Sequence, residues 1–555
     1  MPRAFNPTDQ STIAAVVAAH AVERPAATAF VAGDARMTWR EYRDGSDRLA
    51  AAFIACGIGR GERVAILLPD GCDVHVAFVA CEKAGVVGVG ISARAGDAEI
   101  EHLLRVSGAC ALLSGLEHRG AATARLYGRL QQRGLPLRHH LRIRAALREP
   151  AAIGLDGVPL SVDGGAELQA AIGQRRSGPD DLFLLNSTSG TSGMPKCVTQ
   201  HQHRWFCFAE FAEDAAALSP DDVFLCAVPA SVGFGLWSGH FAPTLLGAPT
   251  VLLPRFSVGS LLTAIQAHRV SVLAAVSTQF IMMLNAPDLA RYDLRSLRVL
   301  FTGGEAVPPE QAAQFEEMTG AKVLQFYGSN ETGALSYTTV RDSRERRLTT
   351  AGHVIAAMQV KLLDAPSGGT ILVGRGQPIC KGPLTCHGYF NNEEGNRGLY
   401  TADGWMKMED IVTIDAEGYL TVVGRVGDFI IRGGKNISAA AVEQAVLQHP
   451  LVTAAAAVAM PDPVFGERVC VYATLLPGAR LTVADLAGFL QAQGVSSEWL
   501  PERLIVLDEL PMVSGGKIAK QLLRADIRTR TATASASERT APPQDEREMI
   551  VASKK

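Results

Sequence analysis

The chain has 555 residues, too many for one hydrophobic core, and a scale of about 150 residues per domain implies three or four compact units. Its 47% hydrophobic and 20% charged residues suit a folded globular protein, and a net charge of −3 gives no global field for nucleic acid or anionic lipid. The ten cysteines include no CxxC pair and no His/Cys cluster at zinc spacing, which argues against a disulfide framework or a zinc centre and for reduced thiols in the cytoplasm.

MPRAFNPTDQ at the start lacks the basic-then-apolar pattern of a signal peptide. RVAILLP (63–69) reads as a buried strand, and DAEIEHLLRVS (97–107) sets Ile100, Leu103 and Leu104 on one helical face. The basic stretch LRHHLRIRAALR (137–148) is expected to be a solvated face and receives no functional role. DLFLL (181–185) is a strand that runs into NSTSGTSGMPK (186–196), which is rich in hydroxyls and glycine. Such a loop is either a surface turn or a phosphate cradle, in which glycines admit close backbone N–H groups, hydroxyls donate and Lys196 adds a point charge. His201 and His203 lack ligand-type neighbours and are not expected to bind metal.

Residues 226–254 contain no Asp, Glu, Lys or Arg, and the run is long enough to cross a bilayer. Four prolines and four glycines interrupt it, so it is expected to form two buried strands around a short helix. Val232, Phe234 and Trp237 either line an apolar substrate pocket or belong to the core. VFLCAVP (223–229), TVLLP (250–254), SVLAAVS (271–277), LRVLFTGG (297–304) and KVLQFYG (322–328) read as further strands, with a helix at 258–269. The alternation predicts an α/β fold of doubly wound, mostly parallel sheets with ligands at the strands' carboxyl ends. Beyond about residue 340 the strands shorten, and after 427 strand and helix mix. The stretch 528–555 lacks apolar periodicity and is expected to be disordered.

The loop at 186–196 is not a Walker motif, because Pro195 precedes Lys196 and Cys197 follows it. It resembles [YF]-x-[ST]-G-[ST]-[ST]-G-x-P-K, the phosphate-binding signature of the adenylate-forming superfamily. The other signatures follow in the same order. FYGSNETG (326–333) is similar to Y-G-x-T-E, DGWMKMED…GYLTVVGRVGDFIIRGGKNIS (403–438) to the D-G-W…G-R-x-x-D block, and PMVSGGKIAK (511–520) to P-x-T-x-x-G-K. The resemblance spans roughly residues 25–525. It implies a large N-terminal domain (1–427, with a β-barrel-like subdomain at about 340–427) and a small mobile α+β domain (428–527).

It further implies that Thr188, Ser189, Gly190, Thr191, Ser192, Gly193 and Lys196 hold the ATP phosphates, and that Glu331 holds Mg²⁺. Gly303, Gly304, Glu305, Tyr327, Gly328, Ser329 and Asn330 would surround the nucleotide, with Asp410 on the ribose hydroxyls and Arg425 beside it. Lys517 would be catalytic, Asp428 the hinge, and Gly433 and Gly434 the wall of a tunnel for coenzyme A. The chemistry needs such a set, because a carboxylate must approach the α-phosphate of ATP against charge repulsion.

The sequence departs from the pattern at 229–235, PASVGFG, which lacks the aromatic-His pair. It departs also at Asn330 in place of Thr, at Met408-Glu409 in place of Thr-Gly, and at Val513 in place of Thr. No carboxylate stands near VPASVGF to bind a substrate ammonium, so an apolar aryl, alicyclic or medium-chain acid is expected rather than an amino acid. No carrier-like segment follows, so a peptide-synthetase module is not expected. The expected activity is an ATP- and Mg²⁺-dependent acid:CoA ligase without nucleic-acid partner or membrane span, and compatible with a homodimer. The alternatives are loading of a separate carrier protein and a nucleotide-binding scaffold that has lost ligation.

Overall fold

The structure is a computed structural model that describes residues 12–540 apart from 148, 150–152, 156–157, 160–165, 189–193, 305–306, 365–367, 426–427, 433–434, 463, 494, 497–498 and 514–516. Packing divides the chain into two compact units, Met1–Val423 with Met512–Lys517, and Gly424–Pro511 with Ile518–Lys555.

The first unit is built on two large sheets. In the nine-stranded sheet, Thr28–Ala32, Thr250–Leu252, Phe224–Cys226, Val272–Ala274, Val299–Gly303 and Lys322–Ser329 run parallel, and antiparallel strands finish both edges. In the eight-stranded sheet, Arg63–Leu67, Val87–Gly90, Ala111–Ser114, His139–Ile143 and Leu184–Ser187 are parallel. Helices cover both sheets, as alternation of short apolar runs with 3.6-period segments requires. Asp97–Ser107 is helical and buries Ile100, Leu103 and Leu104. Trp39–Ala55 begins at a capping box in which Glu41 N donates to the Thr38 hydroxyl and Thr38 N donates to Glu41 Oε2, 2.7 Å away.

The charge-free run forms two buried strands, Phe224–Cys226 and Thr250–Leu252, around a helical stretch from Gly233 to Leu246 with a π-helical turn at Leu236–Phe241. No helix among the described residues is long and apolar enough to cross a membrane. The basic stretch contributes the strand His139–Ile143, where Leu141 and Ile143 are buried and Arg138 pairs with Glu62. From Gln359–Leu363 to Leu420–Arg425 the chain forms a six-stranded sheet whose described pairings are antiparallel.

In the second unit, Phe429–Arg432, Lys435–Ser438, Val452–Asp462, Gly466–Leu475 and Arg503–Val506 form one sheet. Val442, Val446, Val469, Val471, Leu486 and Leu490 pack on one face of it, and Tyr472, Leu523 and Ile527 on the other. The helix Lys520–Thr540 corrects the expectation that the chain from 528 onward lacks structure. The buried Leu523 and Ile527 anchor its first turns. Residues 541–555 lie outside the described residues.

Candidate active site

The two large sheets meet at the carboxyl ends of their parallel strands. Leu184–Ser187 leads into the 186–196 loop, and Cys197–Gln200 returns beside it as its antiparallel partner. Asn186 on the first of these strands exchanges amide hydrogen bonds with Asn330 at the end of the other sheet: Asn186 Nδ2 donates to Asn330 Oδ1 (3.0 Å), and Asn330 Nδ2 donates to Asn186 Oδ1 (2.9 Å). Gln200 Nε2 donates to Asn186 Oδ1 at 2.7 Å. A Cβ on Gly233 would stand 2.6 Å from Asn330 Oδ1, so that loop approaches the amide cluster on bare backbone. Asn330 thus keeps both halves of its amide within the protein, where it and the buried amides of Asn186 and Gln200 satisfy one another.

The next residue, Glu331, is fixed from several sides. Arg204 is 1% exposed and spends its guanidinium on Gln200 Oε1 (2.7 Å), Leu384 O (2.8 Å) and Glu331 O (3.2 Å). Cys386 N also donates to Glu331 O. The Glu331 carboxylate accepts from the Tyr389 hydroxyl, 2.8 Å from Oε1. Burial, reinforced by that carboxylate, raises the Tyr389 phenol well above its ordinary value, so it remains a donor. Lys196 Nζ sits over the Tyr389 ring, 4.5 Å from its centroid. Among the described residues no three His, Cys, Asp or Glu side chains cluster as a metal cage. A carboxylate that shares an aromatic ring with a lysine fits Mg²⁺, which takes one or two carboxylates with substrate phosphate oxygens and water.

Of the loop itself, Thr188 is half-buried and its N–H donates to Lys196 O, which closes the loop's base. Ser189, Gly190, Thr191, Ser192 and Gly193 lie outside the described residues, as do Glu305, Gly433 and Gly434. Gly303 ends the strand Val299–Gly303, and Gly328 and Ser329 end the strand Lys322–Ser329 beyond a register shift at Tyr327/Gly328. Tyr327 is buried, and its hydroxyl donates to Asp410 Oδ2 at 2.9 Å. Gly304 has φ +77, and a Cβ there would lie 3.2 Å from Lys517 Nζ. The lysine therefore comes up against the backbone at the end of the strand Val299–Gly303, and any side chain at 304 would be strained and in its way. Lys517 O accepts from Val513 N.

Trp237 is fully buried, stacked on Phe208 at 4.7 Å and edge-on to Phe301 (5.1 Å) and Phe326 (5.4 Å). These rings, with Phe211 and Tyr337, line a small apolar cavity. Phe234 is half-buried and stands edge-on to Phe326 at 5.0 Å. Val232 packs against Cys226, Val228 and Val276. Trp237 is thus both core and cavity wall. His201 is buried, stacked on His387 at 4.5 Å, and lowered to about 4 by burial, which suits a structural ring.

In the second unit, Arg425 is exposed at the end of Leu420–Arg425. Asp428 is clamped to the last helix by Arg524 and by Lys520 (3.5 Å), and Lys520 also reaches Glu443 at 2.7 Å. Burial alone would raise the Asp428 carboxyl, but the Lys520 and Arg524 cations outweigh it and hold it below its usual range.

The sequence reading did not include Tyr389, Arg204 or Gln200 in the site. HGYFNNEE reads as turn residues around one aromatic, and nothing local says that its ring lies between a lysine and a carboxylate.

The profile of the AMP-binding enzymes matches residues 17–390, and that of the AMP-binding enzyme C-terminal domain matches residues 441–517. The chain is 31% identical over 506 residues, 90% of its length and 91% of the relative's, to a salicylyl-CoA synthase/salicylate adenylyltransferase of a Streptomyces species. It is 30% identical over 502 residues, 88% of its length and 85% of the relative's, to the salicyl-AMP ligase/salicyl-S-ArCP synthetase of Mycobacterium tuberculosis. The fold resembles that of the anthranilate CoA ligase AuaEII, solved with anthranoyl-AMP, at a TM-score of 0.83 and 22% identity over 95% of this chain and 99% of that one. The chain belongs to the AMP-binding enzyme family and is an adenylate-forming acid ligase.

Proposed function

We propose that the protein is an acid:CoA ligase for an apolar carboxylic acid, aryl, alicyclic or medium-chain. Within one compact unit three features gather beside the carboxyl ends of parallel strands: Lys196 and Glu331 joined through Tyr389, Tyr327 bonded to Asp410, and Lys517 against Gly304. That convergence carries the reading. Thr188, the hydroxyls and glycines of 189–193 and Lys196 hold the β- and γ-phosphates. Asp410 takes the ribose hydroxyls, a role for a two-oxygen acceptor, and Tyr327 orients it. Mg²⁺, held by Glu331, would neutralise phosphate charge.

A substrate carboxylate oxygen attacks the α-phosphorus, the bond to the β-phosphate oxygen breaks and pyrophosphate leaves. Lys517 stabilises the charge that spreads over the α-phosphate as this happens. In the second half-reaction the thiol of coenzyme A, having lost its proton, attacks the acyl carbonyl and AMP departs. The resemblance assigns Asp428 to the hinge between the two states, with Gly433 and Gly434 beside the pantetheine arm. The aromatic walls around Trp237 favour an apolar acyl group.

A second reading, transfer to a carrier protein, draws on the mycobacterial relative, whose name states an S-ArCP product. Screening carboxylic acids for pyrophosphate and AMP with and without coenzyme A separates the readings. A CoA ligase turns over continuously only when the thiol is present. A carrier-loading enzyme gives about one equivalent of pyrophosphate whether or not coenzyme A is added. A scaffold gives none with any acid.

A further inference from the structure

We propose that Tyr389 is a positioning residue that aims the Glu331 carboxylate at the metal and the Lys196 ammonium at the nucleotide phosphates. The inference rests on the roles given above to Glu331 and Lys196. One side chain touches both: its hydroxyl is 2.8 Å from Glu331 Oε1, and its ring lies under Lys196 Nζ at 4.5 Å.

Tyr389 itself has little freedom, and its backbone is gripped on both sides. The segment containing it pairs with the strand Cys197–Gln200 immediately after the phosphate loop, through Thr199 N to Gly388 O (3.1 Å), Phe390 N to Cys197 O (2.8 Å) and the bridge between Val198 and Tyr389. On the other side the Asn396 side chain accepts from Tyr389 N (2.7 Å) and donates to Tyr389 O (2.9 Å). The residue is buried, 9% exposed. A rigid donor on one oxygen of Glu331 fixes the plane of the carboxylate and so the direction in which it meets a cation. An aromatic face attracts an ammonium without neutralising it, so Lys196 is steadied while its charge stays available to phosphate. The pairing partner of Tyr389 is the strand that follows Lys196, so the lysine, the ring and the carboxylate are tied to one framework.

The test uses the full chain, with ATP affinity measured calorimetrically at saturating Mg²⁺ and in EDTA. Tyr389→Phe keeps the ring and loses the hydroxyl; it is expected to weaken ATP binding roughly tenfold with Mg²⁺ and less than about twofold in EDTA. Tyr389→Leu, which loses the ring as well, is expected to weaken binding under both conditions. Glu331→Gln is the control for the underlying assignment and should abolish the gain in affinity that Mg²⁺ gives. If Glu331→Gln loses that gain and Tyr389→Phe retains it in full, the positioning role is overturned while the metal assignment stands. If Glu331→Gln retains it, the metal assignment fails and this proposal fails with it. Tyr389→Phe preserves the volume of the side chain, so the decision does not depend on whether Tyr389→Leu folds.

Discussion

The phenol of Tyr327 donates to Asp410 Oδ2 across 2.9 Å, tying the end of a parallel strand, Lys322–Ser329, to the first residue of an antiparallel one, Asp410–Ile414. A hydrogen bond to a charged acceptor is worth about 1.5–3 kcal/mol, and here it holds an acceptor suited to a sugar diol. Tyr327→Phe is therefore expected to raise the KM for ATP roughly tenfold with little change in kcat, and Asp410→Asn to raise it further. Steady-state kinetics with varied ATP check this, and an unaltered KM in Tyr327→Phe would remove the orienting role.

Lys517 reaches the backbone at Gly304, and in the proposed mechanism its ammonium serves the adenylation step. Lys517→Ala should reduce acid-dependent pyrophosphate release by about 10²–10³-fold, the range for losing one charge-stabilising donor. Thioester formation from separately prepared acyl-AMP should persist at near the parental rate. Equal loss of both half-reactions would contradict a role confined to the first.

Burial lowers His75 to about 3 and both His140 and His201 to about 4, so all three imidazoles are neutral in the fold. A histidine whose folded value lies below the unfolded value near 6.5 contributes fully above pH 6.5. That contribution is lost as pH falls towards 4, by up to about 1.4 kcal/mol per pH unit for each group. Asp70, raised by burial to about 6, opposes this at the acid end, so the sharper test is a difference. His140 lies in the eight-stranded sheet and bonds the Ser114 hydroxyl at 2.9 Å. His140→Gln removes one titrating group, and its Tm should fall less steeply than the parent's between pH 6.5 and 4. Parallel curves would show that His140 titrates alike in both states.

Trp237 is the largest side chain facing the aromatic cavity, and its truncation is expected to alter both packing and the choice of acid. Trp237→Ala should cost about 3–5 kcal/mol of stability, as for other fully buried tryptophans. Among acids that support AMP release, it should shift the kcat/KM ratio towards bulkier acyl groups. A stable variant with an unchanged acid profile would place the acyl group elsewhere.

The sequence by itself determined the α/β architecture and the positions of the loops. Strand and helix are written as local periodicity, and the apolar runs at 63–69, 297–304 and 322–328 coincide with strands in the structure. The chemistry-bearing loops fall at their carboxyl ends because parallel sheets place them there. Tertiary structure alone decided which side chains meet. Tyr389 and Glu331 are 58 residues apart, and Tyr327 and Asp410 are 83 apart. The amide of Asn330 is engaged by Asn186 and Gln200, because two sheets with separate hydrophobic patterns converge there. No periodicity within either segment encodes that convergence; it follows from how the two sheets pack around their shared core.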